Sequence, residues 1–246
     1  MPKFFVNNNQ KIENNIYIKG EDFNHIKNVL RMKMNDEIKI CIIDLKETYL
    51  CTVSEFLVDS VRCSILDKIE SYVEPKTFIS IFQGLPKSDK MELIIEKCTE
   101  IGGSEFTPVR MDRCVVKLDD KDAEKKVARW QKIAESAAKQ SGRDMIPKVN
   151  NIISYKEIFS KLDRYDLVII AYELEKELLL KDILNTLNRE KNNKIAFIIG
   201  PEGGISEEEI EIAKNSNISV VTLGNRILRT ETAPIVISAN TIYELG

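Results

Sequence analysis

The chain has 246 residues, 43% hydrophobic and 30% charged, with a formal net charge of −3. That length allows one large domain or two small ones, and the apolar share is enough for a real core. The near-neutral balance gives no compositional vote for nucleic acid, and the longest apolar runs fall far short of the ~20 residues of a membrane helix. The five cysteines at 41, 51, 63, 98 and 114 form no C-x-x-C pair. With no signal peptide in view, their odd count argues for a reducing, cytoplasmic compartment and for buried thiols. His25 is the only histidine, so a Cys/His zinc site has no spacing to work with, and no metal is expected.

In chain order, residues 1–70 read mostly as short, partly alternating strands at 4–6, 16–18, 37–43, 49–58 and 61–69, interrupted by one helix over 22–31. Several short strands in so small a span predict a small barrel. Residues 70–76, with Pro75, are the linker candidate. From Phe78 the texture changes to alternating strands and helices. A strand at 78–82 precedes a helix capped by Ser88, in which Met91, Ile94, Ile95, Cys98 and Ile101 recur at helical spacing up to Gly102-Gly103. A strand at 105–109, a helix at 122–140, a strand at 167–171 and a helix at 176–189 follow. Such alternation predicts a mainly parallel sheet with helices on both faces.

The last fifty residues carry the site signal. The apolar run 195–199 enters Gly200-Pro201-Glu202-Gly203-Gly204, and a capping box of Ser206 with Glu209 opens a helix. A second run, 218–222, enters Leu223-Gly224-Asn225-Arg226-Ile227-Leu228-Arg229-Thr230-Glu231-Thr232-Ala233 ahead of a closing helix over 234–245. In open α/β sheets ligands bind outside the carboxyl ends of strands, so these two loops form the expected site. Neither is a P-loop, and no G-x-G-x-x-G occurs in the chain. Glu207 and Glu208 suit the positive helix start and argue against a phosphate there.

On the helix over 122–140, Lys125, Arg129, Lys132 and Lys139 share one narrow arc with no acid in it. Two readings stand: a solvated face, or a row of phosphate contacts. Arg143 extends the stripe if the helix continues past Gly142. Trp130, near Ile133, Ala134 and Ala137, is expected in the core.

IGPEGGIS followed by LGNRILRTETA resembles the signature of the RsmE-type 16S rRNA uridine-N3 methyltransferases, a branch of the SPOUT superfamily. Weaker similarities run through MPKFFV at the start, His25 to Arg31, Lys87 to Gly102, Pro108 to Arg113, and Arg129-Trp130 to Gln140-Ser141-Gly142-Arg143. The resemblance implies a PUA-like β-barrel at 1–72 and a SPOUT methyltransferase domain with a C-terminal trefoil knot at 73–246. It also implies a homodimer, S-adenosylmethionine as cofactor, and 16S rRNA or the assembled small subunit as partner. The implied reaction is methylation of N3 of one uridine in the decoding region. A SPOUT enzyme acting on another RNA, such as tRNA, is one rival, and a non-catalytic RNA-binding module is another.

Carried over by motif, Gly200, Pro201, Gly203, Leu223, Gly224, Asn225, Arg226, Ile227 and Leu228 cradle the cofactor. Tyr172 and Glu173, at the end of the strand over 167–171, supply a third wall, although Tyr172 suits a core position equally. Arg229 is the first candidate to stabilise a uracil anion, because its planar fork matches the flanking carbonyl oxygens. Its alternative is a salt bridge with Glu231 or Glu202. Glu202 or Glu231 is the candidate general base, and Glu231 has the alternative of favouring the following helix start. Cys98 and Cys114 lack an adjacent histidine, which speaks against a cysteine adduct. By family position Lys3, His25, Lys27 and Arg31 are expected at RNA, and Lys87, Arg110 and Arg113 near the target nucleotide.

Overall fold

The computed structural model describes residues 1–70 and 72–245; Ser71, inside the linker candidate, and Gly246 lie outside the described residues. The chain divides into two compact units, Met1–Glu74 with Ala138–Ile146, and Pro75–Ala137 with Pro147–Gly246.

The first unit holds strands β1 (Lys3–Val6), β2 (Lys11–Ile12) and β3 (Asn15–Lys19), helix α1 (Gly20–Asn24), and strands β4 (Glu37–Ile42), β5 (Glu47–Phe56) and β6 (Ser60–Ile69). They form one sheet in the order β1-β4-β5-β6-β3-β2, in which only β1 and β4 run parallel. Alternate residues face one core: Ile38, Ile40 and Ile42 of β4, Cys51 and Val53 of β5, Val61 and Cys63 of β6. This is the period-2 pattern of a sheet with one buried face. Register shifts at Leu50/Cys51 and Val53/Glu55 interrupt the β5–β6 ladder, and such bulges bend strands. The expected barrel therefore takes the form of a curled six-stranded sheet with β1 and β2 at its edges. The expected helix over 22–31 is shorter. α1 gives way to a π-helical turn, His25–Val29, closed where the Leu30 N–H donates to the His25 carbonyl at 2.9 Å. Arg31, at φ 50°, turns the chain out of it.

The second unit runs β7 (Phe78–Gly84), α2 (Lys90–Ile101), β8 (Glu105–Arg110), α3 (Asp120–Gln140), β9 (Lys148–Val149), β10 (Ile153–Ser154), α4 (Tyr155–Ile158), β11 (Leu167–Ala171), α5 (Leu180–Leu184), β12 (Lys194–Ile199), α6 (Glu207–Lys214), β13 (Ser219–Val221) and α7 (Thr232–Leu245). The residues of α3 from Ala138 onward group with the first unit. The sheet order is β10-β8-β7-β12-β11-β13, with β9 also on β8, and every pairing is parallel.

Buried strands with both faces covered explain why 195–199 is a continuous apolar run. Ile195, Phe197 and Ile199 face one core with α2, α3, α5 and α7, where Trp130 also lies. Ala196 and Ile198 face the other, with α4 and α6. Full burial of each large side chain contributes ~1.5–3 kcal/mol.

Three details differ from expectation. Ser88 does not cap α2: it adopts φ 56°, and Asp89 holds the cap position without a side-chain cap bond. The expected helix over 176–189 shrinks to α5. There the Glu175 carboxylate accepts the N–H groups of Lys176 and Glu177 at 2.9 and 2.8 Å, folding 175–178 into a turn. The chain then lies along the sheet edge, the Thr222 N–H donating to Leu178 at 2.9 Å. Leu-rich spacing here serves an edge contact, not a helix face. The short β9, β10 and α4 carry too few residues for a periodic signal.

Candidate functional site

β12, β11 and β13 are adjacent, and their carboxyl ends open into three loops around a cavity of about 630 Å³. β8 and β10 lie beyond β7 on one side, while β11 and β13 lie beyond β12 on the other. The site thus sits outside the carboxyl ends of the strands, beside the point between β7 and β12 where the strand order reverses. Its size lies in the range of small-molecule sites, ~300–1,000 Å³.

The loop after β12 is shaped by close backbone approach. A Cβ on Gly200 would meet Ile205 at 2.8 Å, and one on Gly204 (φ 73°) would run into the Glu173 carboxylate. A side chain on Gly203 would meet the backbone oxygen of Arg113 at 3.0 Å, and the Arg113 guanidinium donates to the Gly203 carbonyl at 3.1 Å. Beyond the loop, Ser206 caps α6 and Glu209 returns the bond to the Ser206 N–H at 3.0 Å. The same carboxylate accepts the Asp112 N–H at 3.0 Å. The expected capping box is therefore also a bolt to the loop after β8.

The loop after β13 turns at Gly224, φ 109°, where a Cβ would meet nothing within 4 Å. Leu223 and Leu228 rest on the core, whereas Ile227 stands 82% exposed on the cavity wall. Two ties join this loop to the first. The Thr230 hydroxyl donates to the Gly200 carbonyl at 2.6 Å. The Lys90 ammonium, from the first turn of α2, bridges Glu202 at 2.9 Å and Glu231 at 3.1 Å. The Lys87 N–H also donates to Glu202, at 3.0 Å.

Burial pushes the carboxyls of Glu202 and Glu231 up. Bonds from Lys90 and from backbone N–H groups, with the Lys90 charge and, for Glu231, the nearby Arg229 charge, outweigh it and hold both below the usual carboxylate value. The Lys90 ammonium is correspondingly pushed up, first by its bond to Glu202.

Of the residues expected at the cofactor, Tyr172, Glu173, Gly200, Pro201 and the whole run Leu223 to Leu228 line the cavity. Tyr172 fulfils both of its readings, since it also packs on the core shared with α4 and α6. Gly203 does not line the cavity and lies against Arg113 instead. Glu202 and Arg229 line it, while Glu231 reaches it through Lys90. No ion pair or side-chain hydrogen bond engages Arg229 among the described residues, so its salt-bridge alternative is not formed here; Lys90 takes both acids. Lys90, Gln83 and Thr230 were not among the expected site residues. Thr230 stood inside the second loop motif, but Lys90 reads in sequence as an ordinary solvated lysine.

The expected RNA contacts divide. His25 and Arg31 are exposed. Lys3 is not: its ammonium donates to the Asp144 carboxylate, with its side chain 7% exposed. Arg143 is 4% exposed, its guanidinium bound to Glu74 at 2.6 Å. It therefore leaves the stripe and points inward, because Gly142 (φ 73°) ends the helix. In the second unit Lys87, Arg113, Lys125, Arg129 and Lys132 are exposed. The stripe is not free of acids in space: Arg129 pairs with Glu92 of α2 at 2.8 Å, and Lys125 with Asp122 at 3.4 Å.

Comparison with known proteins names the family. Residues 73–241 match the model of an RNA methyltransferase domain, and residues 18–55 that of an RNA methyltransferase PUA domain. The chain is 37% identical to ribosomal RNA small subunit methyltransferase E of Bacillus subtilis, over 96% of this chain and 93% of that one. The chain belongs to the ribosomal RNA small subunit methyltransferase E family. Its Mesomycoplasma hyopneumoniae member is 34% identical, over 99% of this chain and all of that one. The crystal structure of the Neisseria gonorrhoeae member, bound to S-adenosyl methionine, superposes with a TM-score of 0.84 at 31% identity, covering 98% of this chain and 96% of that one. In this family the curled sheet of the first unit is the PUA-like element, and the parallel sheet of the second is the methyltransferase domain.

Proposed function

We propose that this protein transfers a methyl group from S-adenosylmethionine to N3 of one uridine in small-subunit ribosomal RNA. The observation that carries the reading is the cavity at the ends of β11, β12 and β13, in a chain that belongs to this methyltransferase family. The Neisseria gonorrhoeae relative with S-adenosyl methionine bound supports the choice of cofactor.

The residues present fit such a ligand. Leu223, Ile227 and Leu228 offer apolar surface for a purine, and the Gly224 backbone stands open to the cavity with no atom where a side chain would go. The Glu173 and Glu202 carboxylates supply negative charge for a ligand that carries a sulfonium and an ammonium. When bound, S-adenosylmethionine supplies an electrophilic methyl group whose transfer discharges the sulfonium. The chain's residues have the remaining tasks. Arg229, unpaired at the cavity, is suited to stabilise negative charge on the uracil carbonyl oxygens as the N3 proton departs. Glu202 and Glu231 keep the general-base role as a candidate assignment, but pairing with Lys90 lowers their basicity, which favours an anchoring role.

The cationic surface of α3, and His25 and Arg31 in the PUA-like unit, are the proposed RNA contacts. The knotted C-terminus, the homodimer, the cytoplasmic setting and a choice between free 16S rRNA and the assembled subunit belong to the same proposal. Purified protein incubated with labelled S-adenosylmethionine and either free small-subunit rRNA or assembled subunits provides the test. Nucleoside mass spectrometry should find 3-methyluridine at a single position. Label on a ribose, or on tRNA alone, would overturn the reading.

A further inference from the structure

Two of the loops around the cavity come from strands β12 and β13, and the Thr230–Gly200 hydrogen bond joins them directly. Among the described residues, their charged connection runs through a third element, α2. Lys90 stands at the first position of that helix, half-buried, with its Nζ 2.9 Å from Glu202 and 3.1 Å from Glu231. The helix is itself fixed, since Met91, Ile94, Ile95 and Cys98 are buried in the core. Glu202 is held a second time by the Lys87 N–H, from the turn before α2. Glu231 follows Arg229 by two residues, and the Arg229 carbonyl accepts the N–H groups of Thr232 and Ala233 that begin α7. Glu231 and Arg229 therefore share the turn that opens α7.

We propose that Lys90 is a positioning residue for methyl transfer: it clamps Glu202 and Glu231 so that the untethered Arg229 is presented to the cavity in one orientation. Lys90 acts through Glu231, not on the nucleobase. The inference rests on the methyltransferase reading above and adds to it a residue outside both loop motifs. Misplacing a group by about 1 Å costs on the order of 10²-fold in rate, which sets the scale of the effect. A residue that works through a second residue also leaves a signature. Once the partner is gone, removing it costs little more, so the two losses do not multiply.

The test uses the full chain, with single-turnover methyl transfer to small-subunit rRNA at saturating S-adenosylmethionine and RNA, and calorimetric affinity for S-adenosylmethionine. Lys90→Met should lower the saturated rate by about 10- to 10²-fold with a change in affinity of only a few-fold, and Lys90→Arg should recover part of the rate. Glu231→Gln should resemble Lys90→Met, and the double variant should be no slower than the worse single one. Rates are compared only among variants whose thermal melting shows them folded; if Lys90→Met is not, Lys90→Arg and Glu231→Gln carry the comparison. A saturated rate within about twofold of wild type, losses that multiply in the double variant, or a loss confined to cofactor affinity would each overturn the clamp. Failure of the wild-type protein itself to methylate rRNA would instead overturn the proposed function.

Discussion

The Thr230 hydroxyl donates to the Gly200 carbonyl at 2.6 Å, and the hydroxyl oxygen itself accepts from the buried Gln83 amide at 3.0 Å. One side chain thereby ties the ends of β7 and β12 to the loop after β13. Thr230→Val keeps the shape and removes both bonds, leaving the half-buried Gly200 carbonyl with only the Gln83 amide at 3.3 Å and the buried Gln83 amide without its hydroxyl acceptor. Stability should fall by ~1–3 kcal/mol, read as a lower urea midpoint at unchanged slope. A midpoint equal to wild type would show that the tie is incidental.

Gly224 at φ 109° occupies a conformation that side chains resist, although the space beside it is empty. Gly224→Val should therefore cost ~1–3 kcal/mol of backbone strain as well as cofactor affinity. Calorimetry on the folded fraction separates the two effects. Wild-type affinity for S-adenosylmethionine in that fraction would move the ligand away from this loop.

The α3 stripe is tested through its neighbour. An exposed ion pair such as Arg129–Glu92 contributes ~0.2–1 kcal/mol at most, so Arg129 is available to a phosphate at small cost. Replacing Lys125, Arg129 and Lys132 together by Gln should weaken rRNA binding and flatten its salt dependence by up to ~0.9 log unit per lost duplex contact. Glu92→Gln should leave binding equal or tighter. An unchanged salt slope in the triple variant would reduce the stripe to a solvated face.

Arg229→Ala should lower the saturated single-turnover rate by ~10²–10³ while altering the affinity for S-adenosylmethionine and RNA far less. Arg229→Lys should recover only part, because an ammonium cannot reproduce the planar fork. A near-wild-type rate in Arg229→Ala would return the residue to a structural role.

The Lys90 tie also predicts a pH window. Burial opposes ionisation of Glu202 and Glu231, yet Lys90 and the backbone donors hold both below the ordinary 4.5. A depressed carboxyl contributes stability fully above its unfolded value and loses it as pH falls through the folded one. Lys90 is raised above 10.5, so its contribution is complete below 10.5 and lost as pH rises through its folded value. The difference in melting temperature between wild type and Lys90→Met should be flat through neutral pH and shrink below 4.5. A difference that varies across neutral pH would assign the effect to other groups.

The sequence by itself determined what depends on neighbours along the chain. The apolar runs at 78–82 and 195–199, helical spacing from Met91 to Ile101, the Ser206–Glu209 box and the two glycine-bearing loops were legible because strand, helix and cap signals span only a few residues. Placed at the carboxyl ends of two parallel strands, those loops marked the site. Tertiary structure decided the partners of the charges. Lys3 meets Asp144 from 141 positions away, Arg143 turns inward to Glu74, and Lys90 joins two acids from different strands' loops. A lysine in solvent and a lysine in a clamp have the same local sequence, and only packing determines which carboxylate comes within 3 Å. The turn at Glu175 likewise replaced a helix because the edge beside Thr222 offered hydrogen bonds that no local pattern encodes.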